Sequence, residues 1–223
     1  FMSENFRSDK CVIDFSNIVS RYIFVSVKDK YKNISIAVNT SHIEIIQTTD
    51  KKTTIECHES RKFSHSIRVE DETLYISRRQ KKWFSYLLPS FTVSRITIYV
   101  PKTKLDDISI KCNTSKIYIE SVSCKTLTTN GNTGKVVLES VIAKDNLNIK
   151  TNTGKINLWD CDPNEIHIKS NTGNITGSLL TNKAFVIRSK KGKVDIPETF
   201  GKNKCEIISN TGNIYFEITE KTE

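Results

Sequence analysis

One segment decides the fold: residues 147–158 read LNIKTNTGKINL. Apolar and polar side chains alternate on both sides of an Asn-Thr-Gly triplet, with Leu147 and Ile149 before it and Ile156 and Leu158 after it. An alternation with period two is typical of a strand that buries one face. Asn and Gly tolerate a positive φ better than other residues, and a sharp corner between strands requires one. The segment therefore predicts two short strands joined by a tight corner.

The same design recurs along the second half of the chain. The third residue of each triplet falls at positions 115, 134, 154, 173, 192 and 212, so the step is 19 or 20 residues. A unit of this length cannot bury a core alone, so the copies are expected to stack, each strand pairing in parallel with its equivalent in the next copy. The predicted corner residues are Asn132, Gly134, Asn152, Gly154, Asn171, Gly173, Gly192, Asn210 and Gly212. We predict an all-β fold, a parallel β-solenoid (β-helix) with coils of about 20 residues.

The repeat is irregular before about residue 100. Residues 39–45 (NTSHIEI) nevertheless match residues 113–119 (NTSKIYI), which indicates an early coil. We predict two regions: residues 1–100, an irregular N-terminal β region of early coils or a cap, and residues 101–223, a regular solenoid of six coils. A cap has a physical purpose, because an uncovered end coil exposes unpaired backbone groups and apolar core.

The charge balance favours an anionic partner. Lys and Arg number 34 against 25 Asp and Glu, a formal net charge of +9. A first candidate surface is a basic ridge on both sides of the corner, and its alternative interpretation is a solvated outer face. Its residues are Lys111, Lys116, Lys135, Lys150, Lys155, Lys169, Arg188, Lys190, Lys191 and Lys193. A second is the basic and aromatic stretch of residues 78–91, which either contacts a membrane or caps the open end. Its binding candidates are Arg78, Arg79, Lys81, Lys82 and Trp83.

Catalysis has little support in the sequence. We predict no catalytic, cofactor or metal residues, because neither a Ser-His-Asp pattern, a metal-ligand spacing nor a phosphate-binding loop is present. His167 aligns with Asn148 and Val186 of neighbouring coils, so no acidic partner is expected beside it. No nucleic-acid-binding module is recognisable, and nucleic acid is not an expected partner.

The cysteines and the chain start bear on location. The six cysteines form no CxxC pair, and their places in the repeat predict small buried residues with free thiols. Free thiols favour a reducing compartment, so a cytoplasmic location is one alternative. Phe1 precedes Met2, which suggests a fragment of a longer protein and leaves room for an upstream anchor or leader.

The chain resembles the bacterial DUF4097-type family of adhesin-like proteins over roughly residues 34–218. The likeness rests on the repeated Asn/Thr-x-Gly-Lys coils such as residues 151–158, on the apolar strand of residues 96–101 that ends in Val-Pro, and on the variable basic stretch before that strand. Ser115 in place of Gly, and Lys190 and Lys191 in place of Asn and Thr, depart from the pattern. The resemblance implies a β-solenoid, a bacterial origin, attachment to a membrane by a segment outside the domain and links to envelope stress, and it implies no catalytic residues.

These observations lead to a functional expectation. We expect a non-enzymatic module of the cell envelope, adhesin-like or stress-sensing, that recognises an anionic envelope polymer or membrane surface through its basic faces. The alternatives are a structural spacer or homotypic protein–protein assembly module and, more remotely, a polysaccharide-active enzyme. The sequence leaves the ligand, the protein partner and the oligomeric state open.

Overall fold

The computed structural model describes residues 10–12, 20–60, 63–80 and 94–219, and every regular element in these ranges is a β-strand. The strands are β1 (Lys10–Val12), β2 (Ser20–Val27), β3 (Asn33–Ala37), β4 (Thr40–Thr48), β5 (Thr53–Ser60), β6 (Phe63–Glu70), β7 (Thr73–Gln80), β8 (Ser94–Pro101), β9 (Leu105–Lys111), β10 (Thr114–Glu120), β11 (Ser123–Asn130), β12 (Val136–Glu139), β13 (Ile142–Thr153), β14 (Ile156–Cys161), β15 (Glu165–Thr172), β16 (Ile175–Leu179), β17 (Lys183–Lys191), β18 (Val194–Asp195), β19 (Asn203–Thr211) and β20 (Ile214–Ile218). The all-β prediction is confirmed.

The strands form two large sheets that are mostly parallel. One has eleven strands in the order β1-β2-β5-β8-β4-β10-β12-β14-β16-β20-β18, and the other has nine in the order β17-β19-β15-β13-β11-β9-β3-β7-β6. From β9 onward, the odd-numbered strands lie in the nine-stranded sheet and the even-numbered strands lie in the eleven-stranded sheet. The chain therefore winds from one sheet to the other in solenoid-like coils. Antiparallel pairs join β1, β2, β5 and β8, and also β6 and β7, all in the N-terminal part. The predicted division of the chain near residue 100 stays a prediction.

In the central coils, equivalent apolar positions of successive copies lie opposite one another, as the repeat predicts. Leu147 lies opposite Leu127 and Ile166, and Ile156 lies opposite Val136 and Ile175. These side chains are buried between the sheets, where apolar burial stabilises the stack. The early coil predicted at residues 39–45 is also confirmed, because β4 pairs in parallel with β10 from Thr40 opposite Thr114 onward.

The corner glycines pack backbone against backbone. Gly154 has a φ of 152°, and a Cβ on it would lie 1.6 Å from the carbonyl oxygen of Gly134. Nothing larger than hydrogen fits there. Towards the N-terminal end the glycine positions of this corner are taken by buried serines, where Ser41 hydrogen-bonds Ser94 and its amide donates to the Oγ of Ser115. Close backbone contact therefore holds the corner together in one half and serine hydroxyls do so in the other.

The stacking order departs from the sequence order at both ends. The last coil, β19–β20, lies between β15–β16 and β17–β18 and pairs with both. The expectation that each coil pairs with the next one in sequence is wrong here. The coil β3–β4 is likewise inserted between β7–β8 and β9–β10. An inserted coil is paired on both edges and buries its core residues, so it escapes the fraying expected of an edge strand.

This insertion explains a glycine in an apolar column. Gly177 occupies the position that Leu158 holds one coil earlier, and it lies opposite Phe216 of the inserted coil. A Cβ on Gly177 would meet Cε1 of Phe216 at 2.6 Å. The Phe216 ring thus fills the space that the missing side chain leaves, and it also packs 5.8 Å from the ring of Phe185.

Candidate functional site

The most continuous charged feature is a line of basic side chains beside the corner, which we call the corner row. It consists of Arg95, His42, Lys116, Lys135 and Lys155 on five successive coils. Arg95 lies opposite His42, and His42 opposite Lys116. The lysines follow in register, because the amides of Ile117 and Val136 donate to the carbonyls of Lys135 and Lys155. The repeat spacing identifies the three lysines but not Arg95 and His42. The match of residues 39–45 with residues 113–119 aligns His42 with Lys116 and is the signal that could have found it.

The corner row repels positive charge. The pKa of His42 is lowered by its partial burial and then by the neighbouring charges of Lys116 and Arg95, against a smaller opposing effect of Glu44. Among the described residues, Lys116, Lys135 and Lys155 form no ion pair with a carboxylate. The carboxylates of Glu120 and Glu139 instead accept hydrogen bonds from the Tyr118 hydroxyl at the far end of these strands, about 13 Å from the row at the usual strand rise. The three lysines therefore form a positive line without a paired carboxylate among the described residues.

On the other side of the corner lies a shallow groove lined by lysines and asparagines, which we call the corner groove. One section of it, of about 500 Å³, is bounded by Lys150 and Lys169, which are adjacent in the sheet. The asparagines on this section are Asn130, Asn132, Asn152, Asn171 and Asn210. A neighbouring section, of about 620 Å³, carries Lys111, Asn39, Asn113 and Arg78. Cys112 lines both sections, so cations and amides follow one another along the corner.

The asparagines of the groove also hold the corner. The carbonyl of Asn132 accepts hydrogen bonds from the amides of Asn152 and Thr153 on the next coil. On neighbouring coils the side-chain amide of Asn210 donates a hydrogen bond to Oδ1 of Asn171. Asn132, Asn152 and Asn171 keep exposed side chains, so structural and binding roles are compatible at these positions.

The structure divides the predicted ridge into two parts. Ile208 of the inserted coil separates Lys169 from Arg188, and Asn174 with Asn213 separates Lys155 from Lys193. Lys190 and Lys191 lie on β17 at the end of the stack, together with Arg188. Arg188, Lys190, Lys191 and Lys193 therefore lie on the end coil, on a different surface from the corner row. The reason is again the stacking order, which the sequence spacing does not encode.

The second predicted surface is described in part. Arg78 and Arg79 lie on β7, and Arg78 lines the corner groove, where burial lowers its pKa. Arg79 is exposed. Lys81, Lys82 and Trp83 lie outside the described residues, so the choice between a cap and a membrane contact stays open. Arg78 therefore adds a cation from an early strand to the corner groove, beside Lys111 of the predicted ridge.

His167 has the acidic neighbours that the alignment did not predict. Its Nδ1 lies 3.6 Å from Oε2 of Glu206, and its Nε2 lies 3.4 Å from Oε2 of Glu165. Glu206 stands beside His167 because β19, rather than β17, pairs with β15. Within the described ranges, no group of three or more His, Cys, Asp and Glu side chains could hold a metal ion.

A buried ionic cluster connects three of the N-terminal strands. Oε2 of Glu59, a residue buried at 1% exposure, accepts two hydrogen bonds from the Arg21 guanidinium, at 2.8 and 3.0 Å. Its Oε1 accepts the amide of His65, and Nδ1 of His65 lies 3.3 Å away. Burial raises the pKa of Glu59, but the hydrogen bonds from His65 and Arg21 outweigh it and the pKa is lowered. The cluster ties β2 and β6 to β5.

Five cysteines, Cys57, Cys112, Cys124, Cys161 and Cys205, are free, as the repeat predicted. Cys57, Cys124, Cys161 and Cys205 are buried, and burial raises the pKa of each thiol to about 12. Cys112, in the corner groove, is half-buried. Within the described ranges, no helix has the length and apolar character that crossing a membrane requires.

Comparison with known proteins agrees with this architecture. A putative cell adhesion protein from Clostridium sporogenes superposes with a TM-score of 0.53 at 16% identity, over 90% of this chain and all of the other. A putative adhesin from Bacteroides fragilis superposes with a TM-score of 0.55 at 19% identity, over 88% of this chain and 97% of the other. At this identity the likeness establishes the fold alone. No curated protein matches the sequence. The model of the Toastrack DUF4097 family matches residues 31–223, and the chain therefore belongs to that family.

Proposed function

We propose that this chain is a non-enzymatic binding module of the bacterial cell envelope that holds a linear anionic polymer along its corner. The observation that carries the proposal is the corner row, in which three successive coils present the cations Lys116, Lys135 and Lys155, and Arg95 adds a fourth beyond His42. Like charges at the coil spacing of about 4.8 Å repel one another, so the row lowers stability unless an anion compensates it. A repeating polyanion provides that compensation along the whole row.

The shape of the surface favours a polymer over a membrane. The row spans about 19 Å at the usual interstrand spacing, in a straight line along the stack. The neighbouring corner groove adds Lys150, Lys169 and asparagine amides, which donate hydrogen bonds to phosphate or carboxylate oxygens. The described corner residues are polar, whereas membrane-contacting surfaces carry Trp and Tyr at the interface. A phosphate-rich or uronate-rich wall polymer fits these features.

The proposed location is extracytoplasmic, with a tether outside the described residues. The solved relatives of similar fold are described as adhesion proteins, which supports a surface location. The free cysteines keep the cytoplasm as the alternative. Fractionation of cells, with the chain followed by immunoblotting, distinguishes the two.

The test compares two variants of equal net charge. In the corner variant, Lys116, Lys135 and Lys155 are changed to Gln. In the control variant, three exposed lysines away from the corner are changed to Gln: Lys102, Lys104 and Lys144. Binding to purified wall teichoic acid, and to phosphatidylglycerol and phosphatidylcholine vesicles, is measured by co-sedimentation at low and high salt.

We expect salt-sensitive binding to teichoic acid that the corner variant weakens at least about tenfold, since three exposed contacts contribute roughly 0.5 kcal/mol or more each. The control variant should bind as the unmodified chain does. Equal losses in both variants would show that overall charge, rather than the corner, is responsible. Binding to phosphatidylglycerol vesicles alone would favour the membrane interpretation, and shortening of the polymer would revive the enzyme hypothesis.

A further inference from the structure

The C-terminal end of the stack is uncovered by any described strand. β17 and β18 are the last strands of the two sheets, and no described strand pairs with their outer sides. One coil further in, Cys205, Ile207 and Phe216 are buried. The equivalent side chains at the end, Phe185, Ile187 and Ile196, are only partly buried. The apolar core is therefore open along a nine-residue edge strand.

The aromatic side chain of Phe200 is fully exposed at this end of the stack. The backbone on either side of Phe200 is nevertheless fixed by contacts of Thr199 and Gly201. The Thr199 hydroxyl donates to the carbonyl of Lys183 at 2.6 Å, and a Cβ on Gly201 would lie 2.2 Å from the carbonyl oxygen of Asn182. Aromatic residues presented on a fixed backbone are typical of interface anchors, because little conformational entropy is lost on binding.

The charge at this end selects the partner. Residues 186–202 contain five cationic side chains and two acidic ones, Asp195 and Glu198. The cations are Arg188, Lys190, Lys191, Lys193 and Lys202, and all are exposed. Two copies meeting through this end would bring these cations together, which disfavours a two-fold contact between copies. An edge strand with such cations resists pairing with itself and attracts an acidic strand.

From these three observations we infer that the β17 end is a docking site for an extended, acidic segment of a partner protein. The segment adds a strand to the nine-stranded sheet along Lys183–Lys191. Its alternate apolar side chains cover Phe185 and Ile187, and its acidic side chains lie against Arg188 and Lys190. Phe200 anchors the segment beside the edge. This surface is separate from the corner row and does not depend on polymer binding.

The experiment uses a fluorescein-labelled peptide of eight alternating Val and Glu residues, with a Val and Lys peptide of equal length as its control. Anisotropy gives affinity, and hydrogen exchange of the full chain shows where the peptide binds. The variants are Phe200→Ser and the pair Lys190→Glu with Lys191→Glu, all at exposed positions. Tyr22→Ser, at an exposed aromatic far from β17, is the matched control.

We expect the acidic peptide to bind with a Kd below about 100 μM, and both β17-end variants to weaken it at least fivefold. Amide exchange should slow across Lys183–Lys191, which charge attraction alone does not cause. The lysine peptide should not bind, and Tyr22→Ser should change nothing. Absence of binding, or binding without protection of β17, overturns the inference. Concentration-dependent oligomers that Phe200→Ser abolishes would overturn it in favour of a second copy.

Discussion

Replacement of Gly154 by Ala tests the stacked corner directly. The added Cβ would lie 1.6 Å from the carbonyl oxygen of Gly134, whereas a carbon–oxygen contact needs about 3.3 Å. The two backbones must separate by well over 1 Å, which breaks the hydrogen bonds between them from the amide of Gly134 to the carbonyl of Thr153 and from the amide of Val136 to the carbonyl of Lys155, both 2.9 Å long. Two hydrogen bonds at about 1 kcal/mol each and a left-handed Ala at roughly 1–2 kcal/mol predict a loss of about 3–4 kcal/mol.

The matched control is Gly131→Ala in the same corner. Its Cβ would meet Cys112 Sγ at 3.3 Å, and Gly131 lacks the positive φ of Gly154. We expect this variant to stay within about 1 kcal/mol of the unmodified chain, or to gain slightly from a less flexible unfolded state. Urea unfolding followed by circular dichroism measures both. With a slope of about 2–3 kcal/mol per molar, Gly154→Ala should lower the urea midpoint by about 1–2 M. Equal midpoints for the two variants would refute the close stacking of the corner backbones.

Three further predictions concern other parts of the structure. Phe216→Ala should lower the free energy of unfolding by about 3–5 kcal/mol, because it leaves a cavity beside Gly177. Phe200→Ala, which removes an exposed ring, is its control, and equal effects in thermal unfolding would contradict the insertion of the last coil. Glu59→Gln should cost about 3 kcal/mol at pH 7, since it breaks a buried ionic cluster. Because the folded-state pKa of Glu59 is lowered, its contribution is present above the unfolded value of about 4.3 and is lost as the pH falls through the folded value. The free energies of unfolding of the variant and of the unmodified chain should therefore become equal at acidic pH. A difference in free energy that stays constant with pH would contradict this account. Lys116→Gln should raise the pKa of His42, whereas Lys102→Gln should not, and NMR titration of the imidazole measures both. An unchanged His42 pKa in Lys116→Gln would show that the two side chains do not face each other.

Local sequence information determined the repeating unit. Alternation of apolar residues around the Asn-Thr-Gly triplet fixes which face of each strand is buried, and this pattern acts within about ten residues of chain. The two-sheet register at Leu147 and Ile156, the glycine corners, the free cysteines and the early coil at residues 39–45 could therefore be predicted. The lysines of the corner row could be named for the same reason.

The order in which coils stack was decided only in three dimensions. Every coil carries nearly the same pattern, so the pattern cannot state whether β17 or β19 lies next to β15. The choice depends on the fit of particular side chains, such as Phe216 into the space beside Gly177. The same choice places Glu206 beside His167 and moves Arg188 and Lys190 to the open end. A second choice of this kind, the insertion of β3–β4 between β7–β8 and β9–β10, adds Arg95 and His42 to the corner row. The alternation of apolar and polar residues determines the structure within each coil, because it acts over a short stretch of chain. Which two coils lie next to each other depends on side-chain packing between residues far apart in sequence, and only the tertiary structure decides it.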